Sequence, residues 1–288
     1  MVYSGVNPPA NKIRAGGEYQ SQELKIETAT NCYPGRFVEK GTNDDDIQVS
    51  SGISAPLGVL SYEDTNPAYR PDTITSLYAA GAMAQVIKGG PYIHSPLGLA
   101  LGTVAVKNDY LLNWSAGQVV PALKLDGRFA LKIPFSKNTS ETSTGVRIPA
   151  GAVVTDVGLD VVGAVASSTI DVGTLSTDSG DADGFLDGES GAVAGKIVHN
   201  TADASAANIT VGALLEEVEL KDANSVYYGV PTGYQVPTGG KLISYLTSDH
   251  DVSGNILVFL KGPVVVGQVE KSVSAASAAA NILFKLQM

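Results

Sequence analysis

At 288 residues, with 44% hydrophobic content, the chain is long enough for one large all-β domain or two ordinary ones, with cores that need no disulfide staples. Nineteen basic against twenty-nine acidic residues leave a net charge of −10 and no Lys/Arg cluster, which argues against a nucleic-acid partner. The single cysteine, Cys32, excludes an internal disulfide. The opening stretch MVYSGVNPPANKIRAGG lacks the basic and apolar regions of a secretory signal, and no apolar run is long enough to span a bilayer, so a soluble protein with no membrane partner is expected.

Thirty-two glycines and fourteen prolines among many Val, Thr, Ser and Ala, with only 17% charged residues, describe short strands joined by turns. From residue 1 to about 125 the apolar runs are GRFVEKG, APLGVLSYE, AMAQVIKGG and GTVAVKNDYLL. Pro34-Gly35, Gly41, Pro56, Gly58, Gly89-Gly90-Pro91 and Gly102 punctuate them, as the turns of β barrels and sandwiches require, and a small β-barrel or β-tulip-like domain is the expectation here. Residues 1–20 read as an N-terminal arm, Cys32 as a small buried hydrophobe, and the aspartates of NDDDIQV at 43–49 as a solvated turn. TITSLYAAGAMAQVI at 73–87 is one of two stretches with helical character, interrupted by Gly81.

A composition change near 122–130 opens a second block, 128–266. RFALKIPFS, VRIPAGAVVTDVGLDVVGAV, STIDVGTLS, GKIVHN, NITVGALLEEVEL, YQVPTGGKLISYLTS and GNILVFLKGPVVVG fit a two-sheet sandwich of jelly-roll kind. Residues 267–288 form a C-terminal tail, with an alanine-rich second helical stretch at 272–286 and an apolar cluster of Ile282, Leu283, Phe284 and Leu286. Such a tail is mobile unless it packs on its own body or on a neighbouring subunit.

Little in the chain points to chemistry. The three histidines, His94, His199 and His250, lack a second His at metal spacing, and no GxSxG elbow is present. AAGAMAQVIKGG and PTGGKLISY match no phosphate-cradling fingerprint, and Trp114 and Tyr227-Tyr228, without basic partners, read as core or interface packing. The acidic loop DSGDADGFLDGES at 178–190 carries five acidic side chains. In an EF-hand register with Gly184 at the obligatory glycine, Ser179, Asp181 and Asp183 take positions one, three and five, but position twelve is Ser190 and Glu189 falls one short. What remains is an irregular calcium site built from Asp181, Asp183 and Asp187, or a hydrated loop anchored by Phe185-Leu186. No other cofactor and no catalytic residue is expected.

The stretches CYPGRFVEKGTNDDDIQVSSGISAPLGVLSYED, YAAGAMAQVIKGGPYI and LGLALGTVAVKNDYLLNWSAGQVVPA resemble the capsid decoration, or cement, proteins of tailed phages and tailed archaeal viruses. The second block resembles β-sandwich segments of virion structural proteins. The resemblance implies a non-enzymatic virion protein that self-associates as a homotrimer, sits on the outer capsid surface and bridges neighbouring subunits of the major capsid protein. It would be made in the host cytoplasm. On that reading the arm at 1–20 and the tail at 267–288 are ordered against neighbours, and the second domain projects outward or widens the footprint. The alternatives are a tail or baseplate component, and a calcium-dependent carbohydrate-binding adhesion protein.

Overall fold

The structure, a computed structural model, describes residues 12–125, 127–198, 214–215, 218–221, 227–230, 233–248, 250–261, 263–275 and 279–288, with backbone only at 15, 196–198, 218–221 and 227–230. The described chain is all-β. In order it forms β1 (Arg14–Gly16), β2 (Tyr19–Ile26), β3 (Phe37–Lys40), β4 (Asp46–Val49), β5 (Gly58–Leu60), β6 (Met83–Gly89), β7 (Tyr92–Leu99), β8 (Val104–Ala105), β9 (Tyr110–Asn113) and β10 (Val119–Leu125). Next come β11 (Arg128–Ser136), β12 (Thr142–Ile148), β13 (Val153–Gly163), β14 (Thr169–Thr174), β15 (Leu186–Ser190), β16 (Gly195–Val198), β17 (Val218–Lys221), β18 (Tyr227–Val230), β19 (Tyr234–Gln235), β20 (Lys241–Thr247) and β21 (Ser253–Lys261). The last three are β22 (Val265–Val269), β23 (Val273–Ser274) and β24 (Ala280–Leu286). The helices among the described residues are two single 3-10 turns, Ser115–Gly117 and Ser176–Asp178. None is long and apolar enough to cross a membrane.

The chain divides into two compact units, one holding the residues up to Leu123 together with those after Lys261, the other Lys124–Lys261. In the first unit β2, β4, β3, β5 and β6 close into a five-stranded barrel. A second sheet runs β1-β7-β24-β22-β9-β10, and β10 bridges back to β7 through Val119 and Leu99. The strands alternate their side chains, and three barrel strands use both faces. Val38, Leu60 and Val86 point into the barrel core with Leu24, Ile26, Ile47 and Tyr78. Their neighbours Phe37, Val59 and Ile87 join Ile93, Leu111, Val266, Ile282 and Phe284 in a second core under the other sheet.

This arrangement corrects two expectations about the ends of the chain. The 267–288 segment is no free tail: β24 lies between β7 and β22, pairing Phe284 with Ile93 and Leu286 with Gly267. Ile282, Phe284 and Leu286 are buried at every second position, so the alanine-rich stretch at 272–286, which has some helical character, ends in a strand. At the other end, residues 1–11 lie outside the described residues, but 12–20 are built into the fold. The Ile13 and Arg14 amides donate to Glu63 Oε1, Arg14 pairs with Asp64 at 3.1 Å, and β1 pairs with β7. The stretch with some helical character at 73–87 forms no helix, and its AMAQVIKGG end is β6, as the strand reading expects. Those residues are turns up to β6, because buried Tyr78 is held by its amide on the Cys32 carbonyl and its hydroxyl on the Ser61 carbonyl, and Gly81 sits at φ +80°.

In the second unit one sheet has the order β11-β21-β13-β16 and the other β12-β20-β14-β15. Eight strands shared between two four-stranded sheets in these orders, with β14 and β15 a hairpin within one sheet, make a jelly roll. β19 extends the first sheet on β13, and β17 and β18 form a separate hairpin. The sheets meet through side chains such as Phe135 on β11 and Tyr245 on β20, edge to face with centroids 6.1 Å apart. The first and last strands, β11 and β21, are antiparallel neighbours, with Ala130 opposite Phe259. The two ends of the jelly roll therefore emerge side by side, which is the geometry that lets a domain be inserted into another chain segment. The expected boundary at 266 accordingly falls at 261, and the chain from Gly262 onward returns to the first unit.

Candidate functional site

The residues singled out for chemistry are each placed in ordinary structural roles, or lie outside the described set. Buried Cys32 donates to the Thr28 carbonyl, and burial pushes its thiol up to about 11, away from thiolate chemistry. His94 is half-buried on β7, where desolvation lowers its pKa. His250 packs its Nδ1 3.3 Å from Ser248 Oγ, and His199 is outside the described residues. Trp114 is buried, and the side chains of Tyr227 and Tyr228 are outside the described set. In the 43–49 turn, Asp44 pairs with Lys40 at 2.7 Å and Asp46 with Lys25 at 3.2 Å.

The acidic loop is organised by its backbone and by apolar anchors. Asp178 pairs with Arg147 at 2.9 Å and accepts from the Leu242 amide. Thr174 and Asp181 exchange bonds, Thr174 N to Asp181 O and Asp181 N to Thr174 Oγ1, while the Leu214 amide donates to the Gly184 carbonyl. Phe185 and Leu186 are fully buried, with Phe185 edge to face on Tyr234 at 5.7 Å. Asp181 and Asp183 share a hydrogen bond that raises the pKa of Asp181, whereas Asp187 acts on it only through its charge. Among the described residues no group of three or more His, Cys, Asp or Glu side chains converges on a point that could hold a metal ion. The candidate trio of Asp181, Asp183 and Asp187 does not form such a group.

In the first unit a group of loops is tied down by buried hydrogen bonds. Three segments converge there: the 50–57 loop after β4, the end of β7 at 95–99, and the turn at 114–118. The Gly117 amide donates to the Ser50 carbonyl, and a Cβ at Gly117 would lie 2.5 Å from the Phe37 carbonyl oxygen, so only glycine at φ +63° fits. The buried Glu39 carboxylate accepts from both the amide and the hydroxyl of Ser51. Asn113, fully buried on β9, donates to the Ser54 carbonyl at 3.0 Å and accepts from the Val264 amide at 2.6 Å. Gln118 Nε2 donates to the Leu97 carbonyl and Asn281 Oδ1 accepts from the Leu97 amide, holding Leu97 at φ 50°. A left-handed leucine costs about 1–2 kcal/mol. This framework nonetheless carries exposed apolar side chains, among them Leu57, Leu97, Leu101 and Val264, with Leu97 44% exposed.

Against the Gly117 turn lies Arg36, just before β3 and 5% exposed. Its Nε and Nη1 are sealed from solvent without a hydrogen-bond partner, and its Cζ stands 5.6 Å from the Tyr33 ring centre. Desolvation pushes its pKa down to about 10. Sequence reading passed over it because an arginine in GRFVEKG looks like a solvated strand end. Nothing in a linear pattern reports that its neighbours supply no carboxylate.

What the folds define is a class: an all-β protein in which a jelly roll is inserted, along the chain, into a barrel-containing scaffold. No protein-family model matches the chain, and no curated protein matches it in sequence either.

Proposed function

We infer that the protein is a non-enzymatic structural component of a virion, which binds the outer surface of the capsid and cements neighbouring subunits of the major capsid protein. The observation that supports this reading best is the loop framework of the first unit. Its backbone is over-determined by buried hydrogen bonds, yet it exposes Leu57, Leu97, Leu101 and Val264 to solvent. Rigid loops with apolar tips lose little conformational freedom on docking, so more of the contact energy appears as affinity. Self-association as a homotrimer around the capsid contact belongs to the same reading, as does a jelly roll that projects or widens the footprint. The acidic net charge favours an outward-facing position, away from packaged nucleic acid.

The test is sedimentation of the purified full-length protein with capsids that lack it, counting copies bound per capsid, with isolated tails as a parallel sample. Saturable binding to capsids supports the reading. Binding to tails and not to capsids overturns it in favour of a tail or baseplate role.

A further inference from the structure

We propose that residues 12–16 are an exchangeable strand, and that the groove holding them, between β7 and the loop after β5, accepts the same segment from a second copy of this chain. In the structure the chain's own segment fills the groove. The Ile13 and Arg14 amides both donate to Glu63 Oε1, at 2.7 and 3.1 Å, and the His94 amide donates to the Ile13 carbonyl at 2.6 Å. Ile13 is fully buried, Arg14 Nη1 meets both carboxylate oxygens of Asp64 at 3.1 Å, and Arg14 and Gly16 stand opposite Ile93 and Tyr92 of β7. Strand pairing, an apolar anchor and a charge pair are the components of peptide recognition by an added strand.

The two carboxylates of the groove differ in how they depend on the segment. Asp64 is oriented without it, by the Ser61 hydroxyl at 2.7 Å and the Tyr19 hydroxyl at 3.0 Å, so the partner of the arginine is in place beforehand. Glu63 depends on it: among the described residues the two segment amides supply the hydrogen bonds to its carboxylate, and its Oε2 is buried without a partner. A groove vacated by its own segment leaves that carboxylate unsatisfied and the Ile13 pocket open, and both are unfavourable until another strand of the same kind enters.

The joint permits the exchange. The segment continues into the barrel through Gly16 and Gly17, at φ +137° and +93°, where β1 on β7 gives way to β2 on β6. Glycine takes either sign of φ about equally, so the joint swings open without a side chain to obstruct it. Reciprocal exchange between two copies keeps each hydrogen bond, the buried isoleucine and the Arg14–Asp64 pair, so concentration sets how far it proceeds. The occupant is a second copy because the groove calls for an apolar residue followed by an arginine on extended backbone, a segment that each copy carries, and its acidic pair repels acidic strands. The inference does not rest on the capsid reading, since its test uses purified chains alone.

The experiment is native mass spectrometry of isotope-labelled and unlabelled full-length chains after mixing. R14D and D64R each place like charges at the latch within one copy, whereas reciprocal exchange between the two variants places opposite charges at both latches. An equal mixture of labelled R14D and unlabelled D64R should therefore give at least about tenfold more mixed dimer than the same mixture of wild-type chains, and the R14D/D64R double variant, whose pair is restored within one copy, should not. Folded variants that give no gain would overturn the exchange. Wild-type chains decide the matter if a variant does not fold: mixed dimers should rise with concentration, and an isotope-filtered nuclear Overhauser effect should join the Arg14 amide of the labelled copy to β7 protons of the unlabelled one. Mixed dimers that lack this contact, or no mixed dimers at any concentration, would overturn the proposal.

Discussion

Phe37 on β3 and Phe284 on β24 stack in the core of the first unit, with ring centroids 5.8 Å apart and planes inclined by 25°. The contact joins a barrel strand near the beginning of the chain to the strand that ends it. Removing the Phe284 ring leaves a cavity at a fully buried site between two sheets, so F284A should lower the unfolding free energy by about 3–5 kcal/mol. Urea unfolding monitored in the first unit measures it, and a loss below about 1 kcal/mol would mean that β24 is dispensable, as a tail would be.

In the jelly roll, Asp156 and Arg128 pair at 3.2 Å, and the guanidinium lies 4.2 Å from the centre of the Phe259 ring. Burial outweighs the arginine and raises Asp156 from 3.8 to about 6. The folded state therefore holds this proton more tightly than the unfolded chain does. Its contribution is fully present below about pH 4 and is lost as pH rises to about 6, with no further change above. D156N should flatten that slope and make the protein more stable than wild type at neutral pH by about 1–2 kcal/mol, after allowing for screening at the half-exposed Arg128. Urea titrations of both proteins at stepped pH read the difference directly.

Gly117 and Gly81 both have positive φ, but only the first is enclosed. G81A adds a methyl to open space and should cost about 1 kcal/mol from backbone strain alone. G117A drives the same methyl into the Phe37 carbonyl and should cost at least about 3 kcal/mol, because the backbone itself must move. Equal losses in thermal melts of the two variants would refute the close approach.

Leu97 separates docking from folding. Asparagine tolerates the left-handed region better than leucine, so L97N should leave stability unchanged or raise it by about 0.5–1 kcal/mol. The same change removes an exposed apolar tip, so capsid binding in the sedimentation assay should weaken at least about tenfold, a loss of some 1.4 kcal/mol. Unaltered binding would take Leu97 out of the contact.

The insertion topology changes how the two roles of the jelly roll must be tested. Deleting 128–288 would remove β22, β23 and β24 and with them six of the fourteen buried residues of the first unit's second core. Replacing 124–261 by a flexible linker keeps those strands, and the product should remain a cooperatively folded β protein by near-UV circular dichroism. Capsid binding retained by this variant supports a projecting module, and binding lost from a folded variant supports a wider footprint.

The local pattern determined much about this chain. Glycine and proline punctuation located most strands, since turns need specific backbone conformations and alternation marks a half-buried strand. VVTDVGLDVV became β13 and GNILVFLK became β21, the neighbouring central strands of the first jelly-roll sheet. The all-β class and the division near residue 125 came from the same signals. The acidic loop's departure from the EF-hand register was also legible, because ligand spacing is a property of the chain alone.

Tertiary structure decided what depends on partners distant in sequence. SVSAASAAANILFKL has the composition of a helix, but β7 and β22 offer hydrogen bonds on either side of NILFKL, and two neighbouring strands outweigh a weak local preference. Whether the last residues were a tail or a core strand was settled by Phe37, Ile93 and Val266, none of them close in sequence to Phe284. Arg36 is the sharpest case. Its identity is written in the chain, but its burial without a counter-charge exists only once the turn at Gly117 has closed over it.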